Sequence, residues 1–201
     1  MMKSMPRKLG IFIAFVVVLF LIYGLWSLIF ARDPFVPAEF IEASRESALI
    51  ASQIVTFSSE SSENISKINE LDKQHRYSEA IVLVAEEIKR NEELKQKAYE
   101  LSLQLGNMAG VLPSIRPKEA TEIALEALNY ETTIVLSLIS YSDSLNDLLV
   151  ALDDKFNNRK EFSPGRVQEM IEKINSEAES INGLNEKYKE SINEFEKIVM
   201  E

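Results

Sequence analysis

The chain has no cysteine, one histidine, six glycines and six prolines in 201 residues. Without cysteine an exported domain has no disulfide and must hold itself by packing, which long helices manage better than small loop-rich secreted folds. One histidine cannot complete the carboxylate–histidine set of a di-iron bundle, and a zinc site built on it with carboxylates alone would be unusual. It also excludes chemistry that needs more than one imidazole. That residue, His75, has Asp72 and Glu70 nearby but falls in an expected turn, where an exposed imidazole is the default. No Gly-rich phosphate loop, calcium loop or nucleophile elbow occurs. No catalytic, cofactor-binding or metal-ligating residue is therefore assigned, and the chain reads as a non-enzyme.

Basic residues are also scarce. Every acid follows Arg32, and of the 22 bases only Lys3, Arg7, Lys8 and Arg32 come that early, leaving 18 bases against 32 acids from Asp33 onward, a net charge of −14. Such a surface repels phosphate backbones and anionic headgroups, which disfavours nucleic-acid binding and electrostatic adhesion to lipid.

Long uncharged runs are missing except at one place, Ile11 to Phe30, twenty residues without a charge. At about 1.5 Å per residue a helix there crosses the roughly 30 Å hydrocarbon core of a bilayer. Lys3, Arg7 and Lys8 before it keep the amino end cytoplasmic by the positive-inside bias, and Tyr23, Trp26 and Phe30 suit an interfacial belt. A signal peptide cleaved after Ala31 is the alternative. The run exceeds the roughly 7–15 residues of a signal h-region and Ile29 is a poor third residue, so an uncleaved signal anchor is the expectation. This gives a cytoplasmic tail at 1–10, a span at 11–30 contacting the bilayer, a linker at 31–37 and an extracytoplasmic domain at 38–201 of a single-pass membrane protein.

Within that domain apolar residues recur at steps of three and four, the helical period. A first helix is expected from Pro37–Ala38, with Ile50, Ile54, Phe57, Ile65 and Ile68 on one face. Serines between Ser58 and Ser66 compete for backbone partners and favour a bend or break there. A second helix runs from Tyr77 to Leu105, with Glu86–Arg90 and Glu93–Lys97 as i,i+4 pairs on its wet side. A third covers Lys118 to Phe156, and Ser163–Pro164 opens a fourth, whose stripe (Val167, Ile171, Ile174, Ala178, Ile181, Tyr188, Ile192, Phe195, Val199) averages 3.5 residues per turn. The expected fold is all-α: a transmembrane helix, then an antiparallel four-helix bundle with coiled-coil-like packing. An open coiled coil completed by another copy is the alternative.

Glu119, Glu122 and Glu126, and Asp143 with Asp147, form acidic faces expected to point to water. Tyr130, Tyr141 and Tyr188 interrupt the stripes; core tyrosines with rim partners are the plain account, a ligand cavity between helices the other. The two glycines and two prolines from Gly106 to Pro117 mark a connection at the membrane-proximal end. Met108, Val111, Leu112 and Ile115 make it more apolar than an exposed connector needs. With Arg116 they are candidate contacts for lipid or a protein partner, or else the cap of the core. The functional expectation is a non-catalytic, membrane-anchored bundle that binds or scaffolds another envelope protein, or self-associates, outside the cytoplasm. A small-molecule sensing bundle is the alternative.

Overall fold

The computed structural model describes residues 34–159 and 163–200. The expected tail, span and first residues of the linker lie outside the described residues. Four long helices follow: α1 (Ala38–Lys73, 36 residues), α2 (Tyr77–Val111, 35), α3 (Lys118–Phe156, 39) and α4 (Pro164–Met200, 37), with a 3-10 turn at Leu112–Ser114 between α2 and α3. Each packs on the next in sequence. Phe40 of α1 meets Phe195 of α4 with ring centroids 5.8 Å apart, so the four helices make an antiparallel bundle. Its base holds Phe35 and Arg116, and its tip holds the α1–α2 and α3–α4 connections.

The α1–α2 turn is short because the chain reverses within Gln74–Arg76. His75 adopts a left-handed φ of 59°, and the Arg76 N–H donates to the Leu71 carbonyl at 2.9 Å, closing the helix end. Asn158 does the same after α3 with φ 55°, followed by an Arg159 N–H to Asp154 carbonyl bond of 2.9 Å. At the base, Phe35 and Arg116 exchange two backbone hydrogen bonds of 3.0 and 2.9 Å as an isolated antiparallel bridge. The entering chain is thereby fastened to the α2–α3 connection.

Three local expectations are corrected. First, α2 continues through Gly106 and Gly110 to Val111, so the connection begins at Leu112. Each helical glycine costs about 1 kcal/mol relative to alanine. Burying Leu105 and Met108 (5 % and 2 % exposed) returns roughly 1.5–3 kcal/mol apiece. Second, α1 is unbroken across Ser58–Ser66, because Ser61 and Asn64 turn to a carboxylate on α2 instead of their own backbone. Third, the two i,i+4 pairs do not form: Arg90 reaches across to Glu60 on α1, Lys97 pairs with Glu100 at 2.7 Å and Glu93 lies 4.0 Å from Lys89.

The core is divided in two. A base cluster gathers Phe40, Ile50, Leu101, Leu105, Met108 and Phe195 with their neighbours, and a tip cluster gathers Ile68, Val84, Leu145, Leu148, Leu149 and Phe156 with theirs. Polar side chains lie between them. Helix α3 is apolar and long enough by composition to cross a membrane, but 44 % of its most apolar window is buried in the bundle, because it packs on both α2 and α4. Helix α4 has the most regular stripe and the least burial. Among its described side chains only Ser191 and Phe195 are buried, while Ile174 and Ile181 are half-covered and Ile171 remains 37 % exposed.

Candidate functional sites at the base, middle and tip

The five residues singled out at the base come together there but play different parts. Met108, Leu112 and Ile115 are buried in the base cluster, and Val111 is packed half-buried against it. Only Arg116 of the five has an exposed side chain. Beside it stands Phe35, 53 % exposed.

Above the base, α2 and α3 form a shallow groove of about 470 Å³ whose twelve lining residues include no charged side chain. Tyr99, Leu125 and Leu136 in it, and Leu103 beside it, are 44, 49, 62 and 69 % exposed. Gly106 and Ala109 keep one wall low. The Lys95–Asp143 ion pair, 2.5 Å long, bridges the two helices nearer the tip. On a domain this acidic an uncharged two-helix face is a place where another surface can approach without desolvating charge.

The middle of the bundle holds a buried polar layer that the helical stripes did not announce. Glu87 of α2 is wholly buried. One carboxylate oxygen accepts from the Ser61 hydroxyl and the other from Asn64 Nδ2 at 2.8 Å. Arg90 Nε stands 3.5 Å from that second oxygen, an electrostatic contact rather than an aligned hydrogen bond. Asn91, one turn on, donates its side-chain amide to the Ser142 backbone carbonyl at 2.7 Å, and its backbone carbonyl accepts from the Ser142 hydroxyl at 3.3 Å. Across α3, Ser140 donates to Glu177 of α4 at 2.5 Å, leaving the second Glu177 oxygen buried and without a hydrogen bond.

A second carboxylate lies nearer the base. Glu131 of α3 is 5 % exposed; the Tyr188 hydroxyl of α4 bonds to it, and its Oε2 has no hydrogen-bond partner among the described residues. Burial pushes its pKa up to about 7, with the Tyr188 hydrogen bond pulling weakly the other way. The Tyr188 phenol is raised in turn, by burial first and then by Glu131. Continuing the period of α2 and α3 would have found both carboxylates: Ala80, Val84, Glu87, Asn91, Leu94 and Ala98 advance in steps of four and three, as do Ala124, Leu128, Glu131, Val135 and Leu138.

Towards the tip, α1, α3 and α4 enclose a cleft of about 500 Å³. Ile68, Leu145, Leu148 and Leu152 form its floor and Val167 and Ile171 its α4 wall, while Ser62, Ser66, Asn69 and Asn175 line its polar edges. The Asp72–Lys155 ion pair closes the tip end, and Tyr141 stands at the end facing the polar layer. Tyr141 is kept protonated by burial and by the nearby Glu87 and Glu177 carboxylates.

The remaining sequence candidates are surface groups. Imidazole Nδ1 of His75 lies 2.8 Å from the Tyr77 hydroxyl in the exposed tip turn. Glu122 pairs with Lys118 at 2.9 Å, Glu126 accepts from Tyr130 at 3.0 Å, and Glu119, Asp143 and Asp147 are exposed. Among the described residues no group of three or more His, Asp and Glu converges on a metal-sized space. No protein-family model, curated protein or solved structure matches the chain. What the geometry defines is a class, an all-α antiparallel four-helix bundle over residues 38–200.

Proposed function

We propose that this protein is a non-catalytic bundle, anchored in the membrane by residues 11–30 with its amino end cytoplasmic, that binds or scaffolds another protein outside the cytoplasm. One observation carries the reading: the uncharged α2–α3 face on a domain of net charge −14. From Tyr99 down to Ala109 that face covers about 15 Å of helix next to the base. A partner standing on the same membrane meets it at matching height. The acidic remainder of the surface repels competitors of like charge and restricts docking to this face.

The topology is tested with single cysteines, which the native chain lacks. An impermeant thiol reagent applied to intact cells should label Ser59→Cys and spare Ser4→Cys; the opposite pattern removes the localisation. Docking is tested by a photo-crosslinking residue at Leu103, with exposed Val55 on α1 as the control site. A partner captured at Leu103 and lost on Leu136→Lys supports the reading, provided that the isolated 33–201 segment melts unchanged. Equal capture at both sites rejects it. The small-molecule sensing alternative draws on a different feature, the tip cleft.

A further inference from the structure

We propose that the tip cleft binds a single-chain amphiphile with a neutral head group that both donates and accepts hydrogen bonds, as a monoacylglycerol or long-chain alcohol does. This goes beyond the docking of a protein on α2–α3 and does not depend on it. The volume, about 500 Å³, falls in the roughly 300–1,000 Å³ range of small-molecule sites, and the lining has their character, apolar walls with a few convergent polar groups. Its form is elongated. From Ser62 to Asp72 the α1 edge alone runs about 15 Å, and Ile68, Leu145, Leu148 and Leu152 form a continuous apolar floor beneath it. That shape suits an extended acyl chain better than a compact ring system. On the α4 wall Ile171 is exposed and Val167 is partly covered, packed against the tip cluster.

The two ends of the cleft orient the chain. At the tip, Asp72 and Lys155 already satisfy one another and present no free charge to a head group. At the other end the Tyr141 phenol both donates and accepts, while the Glu177 carboxylate lies just past Ile174, outside the cleft's lining. A hydroxyl can accept from Tyr141 and donate to the uncharged side chains along the polar edges. A carboxylate head at Tyr141 would meet the field of the Glu87 and Glu177 carboxylates, which already helps hold that phenol protonated. An ammonium head finds those two carboxylates already paired, Glu87 with Arg90 at 3.5 Å and Glu177 with Lys173 at 3.8 Å. The polar edges Ser62, Ser66, Asn69 and Asn175 are uncharged, in keeping with a neutral ligand.

The test uses the full chain in lipid nanodiscs with a diazirine-bearing monoacylglycerol, photolysed and mapped by mass spectrometry. Adducts should fall on residues 145–152 and 167–174 and be displaced by monolauroylglycerol but not by laurate or dodecylamine. Tyr141→Phe, which leaves the apolar cleft intact, should weaken labelling roughly three- to tenfold, the worth of one hydrogen bond. Ser66→Trp, a surface change at the cleft edge, should block labelling without affecting the fold. Adducts confined to residues 11–30, labelling indifferent to both variants, or displacement by laurate or dodecylamine as effective as by the monoglyceride would each overturn the assignment.

Discussion

Glu87→Ala lowers the melting temperature of the isolated 33–201 segment by on the order of 10 °C. Removing one partner of a buried charged cluster costs about 3–5 kcal/mol, because the groups left behind remain buried without it. A domain of this size loses about 2–4 °C per kcal/mol. Here the stranded groups are the Ser61 hydroxyl and the Asn64 amide, with Arg90 losing one of its two carboxylates. The companion variant separates this cause from a simple cavity. Replacing Ser61, Asn64 and Glu87 together by Ala, Leu and Leu removes the whole hydrogen-bonded set and joins the two apolar clusters, and it should recover most of the lost stability. A triple variant as unstable as Glu87→Ala would show that volume, not polar satisfaction, governs the site. Thermal melts by circular dichroism suffice for both.

The second large effect depends on pH. The Glu131 carboxyl has a folded-state pKa near 7 against 4.5 when unperturbed. Between those values the folded chain retains a proton that the unfolded chain releases. Its contribution is therefore fully present below about pH 4.5, falls as pH rises to 7 and is lost above that. The shift corresponds to about 3 kcal/mol. Glu131→Gln keeps the shape and the neutral state at every pH. It should match the wild type at pH 4.5 and exceed it by up to about 3 kcal/mol at pH 8, measured as the difference between urea unfolding curves at each pH. A difference that stays constant between pH 4.5 and 8 would mean that Glu131 is not held protonated.

Both effects come from residues that the stripes passed over, and the reason is physical. On α2 the apolar residues run Val84, Ile88, Leu94, whereas the interior period continued from Ala80 and Val84 falls on 87 and 91. Charge and amide at those positions hide the continuation. On α3 the most apolar line is Ile123, Ala127, Tyr130, Ile134 and Leu138, but the helix is flanked by two neighbours and carries a second line through Ala124, Leu128, Glu131 and Val135. The residues facing α4 and those facing α2 interleave, and Glu131 belongs to the set that was not followed. What periodicity could supply, it did supply: α3 spans Lys118–Phe156 as expected, α4 starts at Pro164, and helix number and direction follow from stripes and short connections. Helix length at Gly106 was harder to read, since local propensity favours a stop and only the burial of Met108 overrides it. The tip cleft is not a property of any one helix. It exists because α4 leaves its own stripe partly uncovered along α1, a matter of tertiary fit that no local pattern encodes.

The two hydrogen bonds between Phe35 and Arg116 bear on mechanics. A chain entering a bundle through a slack tether would let the bundle swivel and would dissipate any pull or twist in the tether. Here Phe35 is clamped to Arg116, just before α3, so the entering chain is fixed to the base from its second described residue. A sideways load at the tip turns a lever nearly as long as α3, roughly 58 Å at 1.5 Å per residue over its 39 residues. The torque arrives at that two-bond clamp instead of being lost on the way.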